Sequence, residues 1–271
     1  MAITQKNDLE FYDRNADNWW DEDTKIYTLY HLNKPRFEFF DRHIANWQGL
    51  KALDVGCGGG FSCEFMAARG VAVSGIDQSQ KCIVAAQAHA IAAGLAIDYR
   101  CGIAEAMTYA DSSFDVVISV DVLEHVESVP RVLAEVFRIL KPNGTFFFDT
   151  INRNFKSRLV MIWIMENILG EIQKGVHDWN KFVTPEELTE LLIKSGFKDV
   201  EIKGFDLFSE ALRLNLSSYL DYRKTGIPKI VINDDTSVNY IGKAVKVPLV
   251  FQSRLINKNL ELDFFKQREK I

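Results

Sequence analysis

The chain has 271 residues, 47% of them apolar, and a formal net charge of −5. That length suits one large domain, or one domain with additions, and the apolar fraction is ample for a packed core. An acidic chain with no long basic run is a poor match for nucleic acid, and no apolar run reaches the ~18 residues that span a bilayer. The four cysteines, Cys57, Cys63, Cys82 and Cys101, lack metal-finger spacing. The stretch Met1 to Glu10 is polar, without the apolar core of a signal peptide. Reduced thiols in a cytoplasmic setting are the expectation.

In chain order, residues 1–49 read as a helical cover. Asp8 to Trp20 and Tyr27 to Trp47 carry aromatics at helical spacing: Phe11, Tyr12, Trp19, Trp20, Tyr30, Phe37 and Phe40. Helices packed on the core satisfy that spacing. So does a cover whose aromatic walls keep water out of a pocket. From Lys51 the pattern alternates. Strands are expected at 50–55, 71–76, 96–101 and 114–120, with helices at 60–69 and 79–93 between the first three. A helix follows at 129–140, stopped by Lys141-Pro142-Asn143-Gly144, and then a strand from Thr145 to Asp149. Thr184-Pro185-Glu186-Glu187 reads as the start of a helix to residue 195, and strands follow at 198–205 and 238–247. The fold class is therefore α/β, a mostly parallel sheet with helices on both faces, over residues 50–247.

Two stretches interrupt the alternation. Residues 156–176 have a centre that is apolar all round, Leu159 to Met165, flanked by Lys156, Arg158 and Lys174. The segment is too short to span a bilayer. A peripheral membrane contact, a lid over an apolar acceptor and plain core are three open readings. Residues 207–237 read as an insertion and 248–271 as a tail, neither with a chemical reading.

The chemistry concentrates in Leu53-Asp54-Val55-Gly56-Cys57-Gly58-Gly59-Gly60, a strand running into a glycine turn and then a helix. A dinucleotide fingerprint from Gly56 would need its last glycine at 61, which is Phe61. The pattern, an acid two residues before the first glycine, resembles the first motif of the class I S-adenosylmethionine methyltransferases. Asp77, ending the next strand, suits a ribose, which NAD enzymes would also place there.

The blocks Asn18-Trp19-Trp20-Asp21, Asn33-Lys34-Pro35-Arg36, Gly75-Ile76-Asp77, Leu123-Glu124-His125-Val126, Thr150-Ile151-Asn152-Arg153, Lys156-Ser157 and His177 to Phe182 follow in order. Over roughly residues 10–205, and again at Val238-Asn239-Tyr240, they resemble the ubiquinone-biosynthesis O-methyltransferases. The resemblance implies a Rossmann-like class I sheet with an antiparallel last strand. It implies S-adenosylmethionine contacts at Arg36 for the carboxylate, Gly56 near the amino acid part, Asp77 at the ribose, and Val120, where the family more often has Met. Asp54, Cys57, Gly58, Gln78, Ala104 and Glu105 complete the expected cofactor set. Some members bind a divalent cation through Glu-x-x-Glu-His, which here reads Asp121-Val122-Leu123-Glu124-His125. Asp121, Glu124 and His125 are thus candidate ligands for Mg²⁺ or Zn²⁺, although Glu124 and His125 equally suit capping of the next turn. The chain departs from the family at Asp149, where a small polar residue is commoner.

Methyl transfer from S-adenosylmethionine, leaving S-adenosylhomocysteine, needs donor and acceptor aligned in a dry site. A phenol of pKa near ~10 must lose its proton to attack well. His125 and His177 are the candidate catalytic bases; His177 also suits a purely structural hydrogen bond. The expected activity is O-methylation of a hydroxylated aromatic small molecule, a quinone precursor or a specialised metabolite. A C- or N-methyltransferase and a S-adenosylmethionine-binding protein without turnover are the alternatives; Phe61 argues against a nicotinamide oxidoreductase.

Overall fold

The computed structural model describes residues 9–206 and 222–247. In chain order its elements are α1 (Leu9–Asn15), α2 (Thr28–Phe40), β1 (Lys51–Val55), α3 (Phe61–Ala67), β2 (Ala72–Asp77), α4 (Gln80–Ala92), β3 (Asp98–Cys101), β4 (Phe114–Ser119), α5 (Val129–Ile139) and β5 (Leu140–Ile151). A single turn, α6 (Phe155–Ser157), then runs into a π-helix (Arg158–Ile168), followed by α7 (Pro185–Lys194), β6 (Phe197–Asp206), β7 (Val231–Asn233) and β8 (Asn239–Lys246). The strands form one sheet in the order β3-β2-β1-β4-β5-β8-β6-β7. The first five pair in parallel, and β8 lies antiparallel to both β5 and β6.

Side-chain alternation sorts the core onto the two faces. Ala52, Val73, Val116 and Phe147 pack with Phe37 and Phe40 of α2, Met66 of α3 and Ile83 of α4. Leu53, Val117, Phe146 and Phe148 pack on the other face, with Val132 and Val136 of α5 and Leu188 and Leu192 of α7. The run Phe146-Phe147-Phe148 is apolar throughout because both faces are covered; each such side chain contributes roughly 1.5–3 kcal/mol by burial. Thr184 caps α7 as expected, and with Glu187 it forms a reciprocal capping box, both hydrogen bonds at 3.1 Å.

Four local expectations are corrected. The first cover helix stops at Asn15 and continues as a 3₁₀ turn, Ala16–Asn18. The second ends at Phe40 rather than Trp47, because the Trp47 indole N–H folds back to donate to Asp41 Oδ1 at 2.7 Å. β5 begins at Leu140, and residues 141–144 bulge out between the pairs Phe114–Leu140 and Val116–Thr145, with Asn143 at φ 64°. The insertion contributes an unforeseen edge strand, β7, antiparallel to β6. Residues 207–221 of that insertion, and the 248–271 tail, lie outside the described residues.

The apolar 156–176 segment has two faces. Val160, Met161 and Met165 of the π-helix pack on Ile151, Phe182 and Val238. Phe155, Leu159, Trp163 and Ile168 are exposed, with 58% of Trp163 accessible. The wider i→i+5 turn of the π-helix lets steps of four and five set Leu159, Trp163 and Ile168 on one side, with Phe155 of α6 just before them. Among the described residues, no helix is long and apolar enough to cross a membrane.

Candidate active site

The glycine turn at the C-terminal end of β1 is built by two constraints. Gly56 and Cys57 both donate their N–H to Ile76 O, at 2.7 and 3.0 Å, which tethers the turn to β2. Gly58 (φ 50°) donates to Asp77 Oδ2 at 2.9 Å, while Ser79 N–H reaches Asp77 Oδ1 at 2.8 Å. Trp19 roofs the turn so closely that a Cβ on Gly58 would lie 2.5 Å from its ring. Trp20 stacks on His89 with ring centroids 3.5 Å apart and donates to Gly59 O at 2.9 Å.

Beneath this roof is a cavity of about 500 Å³, within the usual size of small-molecule sites, ~300–1,000 Å³. Every residue expected at the cofactor site lines it: Arg36, Asp54, Gly56, Cys57, Gly58, Asp77, Gln78, Ala104, Glu105 and Val120. Tyr12, Trp19, Phe61, Asp121 and His125 line it as well, which brings the aromatics Tyr12 and Trp19 of the N-terminal segment to its wall. No residue of 156–176 lines this cavity.

Several of these side chains suit a polar ligand. Asp54 is buried, and its Oδ1 has no hydrogen-bond partner. Burial pushes its carboxyl up to about 7, partly offset by the Cys63 thiol on Oδ2. Burial also raises Asp77, against the two N–H groups that hold its charged form. Arg36 is committed: its Nε donates to Asp149 Oδ2 and its Nη2 to Asp121 Oδ2, both at 2.5 Å. An incoming ligand carboxylate has to compete with those two acids. Glu105 accepts the N–H groups of Glu127 and Ser128, at 2.8 and 3.3 Å, and so ties two cavity walls together.

The cation set is not assembled. Asp121 adopts a left-handed φ of 55° that sends its carboxylate to Arg36, and its N–H donates to Asp149 Oδ1 at 2.7 Å. Glu124 is buried, and its Oε2 accepts the Thr150 hydroxyl at 2.7 Å. His125 Nε2 lies 3.4 Å from Tyr12 Oη. Each member thus has a different partner, and the described residues contain no group of three or more His, Cys, Asp or Glu side chains able to hold a metal ion.

His125 lines the cavity, whereas His177 sits behind it with the ring centroids 5.5 Å apart. Burial, then His177 and Lys181, pull His125 down to about 3, so it is neutral at ordinary pH. The bond made by His177 is with Glu166, not Asp178: His177 Nδ1 is 2.8 Å from Glu166 Oε1. Glu166 and Tyr12 escaped notice as site residues. The available signal was a single acid inside an apolar run, eleven positions before His177.

The buried acids carry a pH dependence. Burial pushes Glu124 up to about 8, helped by Asp121, and Asp54 to about 7. Both hold a proton in the folded state where the unfolded chain has lost it. Their stabilising contribution is complete below the unfolded carboxyl range and is lost as pH rises through about 7 to 8. The ligand-free protein is expected to melt at a lower temperature at about pH 9 than at about pH 5.5. Glu124→Gln, which keeps an acceptor for Thr150, should flatten the upper part of that slope. Thermal melts across the range check this, and a melting temperature that rises with pH would contradict it.

This sheet order, with its glycine turn and strand-end acid, defines a class I S-adenosylmethionine-dependent methyltransferase. The methyltransferase-domain family profile matches residues 53–148. The ubiquinone biosynthesis O-methyltransferase of Roseobacter denitrificans is 37% identical over 257 residues, spanning 91% of this chain and 98% of that protein. Its counterpart in Chromobacterium violaceum is 34% identical over 243 residues, spanning 89% and 97%. A S-adenosylmethionine-dependent methyltransferase from Thermotoga maritima shares the fold, with a TM-score of 0.60 at 18% identity over 88% of this chain and all (100%) of that one. So does phosphoethanolamine N-methyltransferase 2 of Haemonchus contortus, with a TM-score of 0.59 at 18% identity over 86% of this chain and 60% of that one. The chain belongs to the ubiquinone biosynthesis O-methyltransferase family and is a S-adenosylmethionine-dependent methyltransferase.

Proposed function

We propose that this enzyme methylates a phenolic hydroxyl of a ubiquinone precursor. The observation that carries the reading is a single cavity lined by every expected donor-site residue and by a neutral His125. When bound, S-adenosylmethionine supplies a methyl group on a positively charged sulfur. Asp77 is the ribose residue, its carboxylate pre-oriented by Gly58 and Ser79. Gly56, Arg36 and the unpartnered Asp54 Oδ1 serve the amino acid part. Gly58, Cys57, Gln78, Ala104, Glu105 and Val120 form the remaining wall. Tyr12, Trp19 and Phe61 exclude water. His125 faces the acceptor and receives its hydroxyl proton, with His177 behind it; general-base help of this kind is worth ~10²–10⁴-fold.

Calorimetric titration with S-adenosylhomocysteine and NAD tests the donor half. Asp77→Ala is expected to weaken S-adenosylhomocysteine binding by about 3 kcal/mol, some 10²-fold, from loss of two hydrogen bonds to a charged group. Labelled methyl should pass to a prenylated hydroxyphenol as an O-methyl ether, and not to its deoxygenated analogue. Preference for NAD, or a C-methyl product, would overturn the reading.

The exposed face of Phe155, Leu159, Trp163 and Ile168, beside Lys156, Arg158 and Lys174, supports a further element of the proposal. It docks the enzyme on an anionic membrane surface, where a prenylated acceptor resides. Trp163→Asp is expected to weaken binding to phosphatidylglycerol vesicles about tenfold, or 1.4 kcal/mol. Co-sedimentation measures it, and unchanged binding would sink this part alone.

A further inference from the structure

We infer that Glu166 is a positioning residue: by holding His177 with its proton on Nδ1, it leaves Nε2 as the proton acceptor behind His125. The inference rests on the methyl-transfer reading above. Glu166 ends the apolar stretch Leu159 to Met165, and only 2% of its side chain is exposed. A buried carboxylate without partners costs several kcal/mol. Here three N–H groups converge on it. Oε2 accepts Gly175 N–H at 2.8 Å, and Oε1 accepts His177 backbone N–H at 3.0 Å while meeting His177 Nδ1 at 2.8 Å. Both oxygens are acceptors, so the proton of the imidazole contact belongs to Nδ1. The π-helix has a part in this. Its i→i+5 bonding, continued by Leu169 N–H to Ile164 O at 2.8 Å, is a widening common at functional sites.

The other side of His177 faces the site. Its ring centroid is 5.5 Å from that of His125, and Phe182 packs at 5.9 Å. His125 Nδ1 is buried with no hydrogen-bond partner, while Nε2 is 3.4 Å from Tyr12 Oη. Of the nearby charged groups, Lys181 pairs with Glu127 at 3.0 Å and also donates to His125 O at 3.4 Å, and Asp178 accepts Asn180 N–H at 3.1 Å. A line of groups therefore runs inward from the cavity: Tyr12, His125, His177, Glu166. The ligand-free structure shows no bond between His125 Nδ1 and His177 Nε2. Once the bound acceptor draws the two rings into contact, as catalytic hydrogen bonds tighten in the loaded complex, the acceptor's hydroxyl proton passes to His125 Nε2, and the Nδ1 proton of His125 passes to His177 Nε2. His125 ends neutral, as the opposite tautomer. His177 ends as an imidazolium against the Glu166 carboxylate, and the acceptor oxygen gains the methyl.

The experiment combines ring ¹⁵N spectroscopy of histidine-labelled full-length protein with kinetics of His177→Ala and Glu166→Gln, using a short-chain prenylated hydroxyphenol and labelled S-adenosylmethionine. Gln still accepts a backbone N–H, so a loop-anchoring role alone would survive the change. Glu166→Gln is expected to lower kcat by about 10²-fold, the upper end for a supporting residue, with KM and S-adenosylhomocysteine affinity within about twofold. Neutral wild-type His177 should give the Nδ1–H signature. Full activity of His177→Ala would overturn the relay, and the role of Glu166 with it, while leaving His125 as the base. An inactive His177→Ala beside a fully active Glu166→Gln would overturn the role of Glu166 alone. Should Glu166→Gln fail to fold, the wild-type spectrum decides: an Nδ1–H tautomer supports the inference and an Nε2–H tautomer overturns it.

Discussion

Arg36→Met is expected to destabilise the ligand-free protein by about 3–5 kcal/mol above pH ~8, and by clearly less near pH ~5.5. Arg36 is 2% exposed and bridges Asp149, itself buried, to Asp121. Removing the guanidinium leaves two carboxylates side by side, one of them out of reach of water. Breaking such a pair costs more than the pair was worth, because the surviving charge has no compensation. The sign with pH follows from Asp149, whose carboxyl burial already raises against the opposing pull of Arg36. Without Arg36 it rises further. A folded-state pKa above the unfolded one gives stability at low pH that disappears as pH climbs, so the gap between wild type and variant widens upward. For a chain of this size the loss corresponds to a melting temperature lower by roughly 10 °C. Urea unfolding at the two pH values measures it, and an equal loss at both would refute the account. Arg36→Lys should restore only part, since one ammonium cannot fork between two acids.

Gly58→Val should remove S-adenosylhomocysteine binding by more than about 10²-fold while costing about 2–4 kcal/mol of stability. Its φ of 50° strains any residue with a Cβ, and that Cβ would stand 2.5 Å from Trp19. The roof must lift, and the N–H that fixes Asp77 moves with it. Gly49 separates the two causes. It has a φ of 79°, but nothing lies within 4 Å of where a Cβ would stand, so Gly49→Ala carries the strain alone, about 1–2 kcal/mol. Calorimetry with tryptophan fluorescence reads both variants. Wild-type affinity in Gly58→Val would show that the roof and the donor site are uncoupled.

That Gly56, Gly58 and Asp77 would line one cavity was legible because their positions are set locally. They lie within one strand–turn–helix–strand unit, and backbone geometry follows from the glycines themselves. The ends of the capped helix α7 were legible for the same reason. What stayed hidden depends on partners distant in the chain. Asp149 stood out only as an unusual residue; its claim on Arg36, 113 positions away, is a matter of tertiary packing. The same pairing draws Asp121 away from Glu124 and His125, so a motif that reads as a ligand set is dispersed. An all-round apolar pattern cannot reveal a π-helix, because the extra residue per turn changes the backbone and not the composition. It also hid Glu166, which reads as an interruption until His177 is found beside it. β7 has only three residues, one of them Asn233, too few for a strand period to register.

The position of β8 has a consequence for how the molecule is made. Among the described residues, the last strand in sequence is not the last in space: it enters between β5 and β6 and bonds to both. Until residues 239–246 exist, two sheet edges stand open, one of them carrying the apolar Phe146-Phe147-Phe148 run. Unpaired edges of that kind invite association with other chains. The parallel half can form from its own local crossovers, but the whole sheet closes only when β8 inserts, a long-range step that is intrinsically slow. Folding of this enzyme thus has its vulnerable interval before residues 239–246 are inserted.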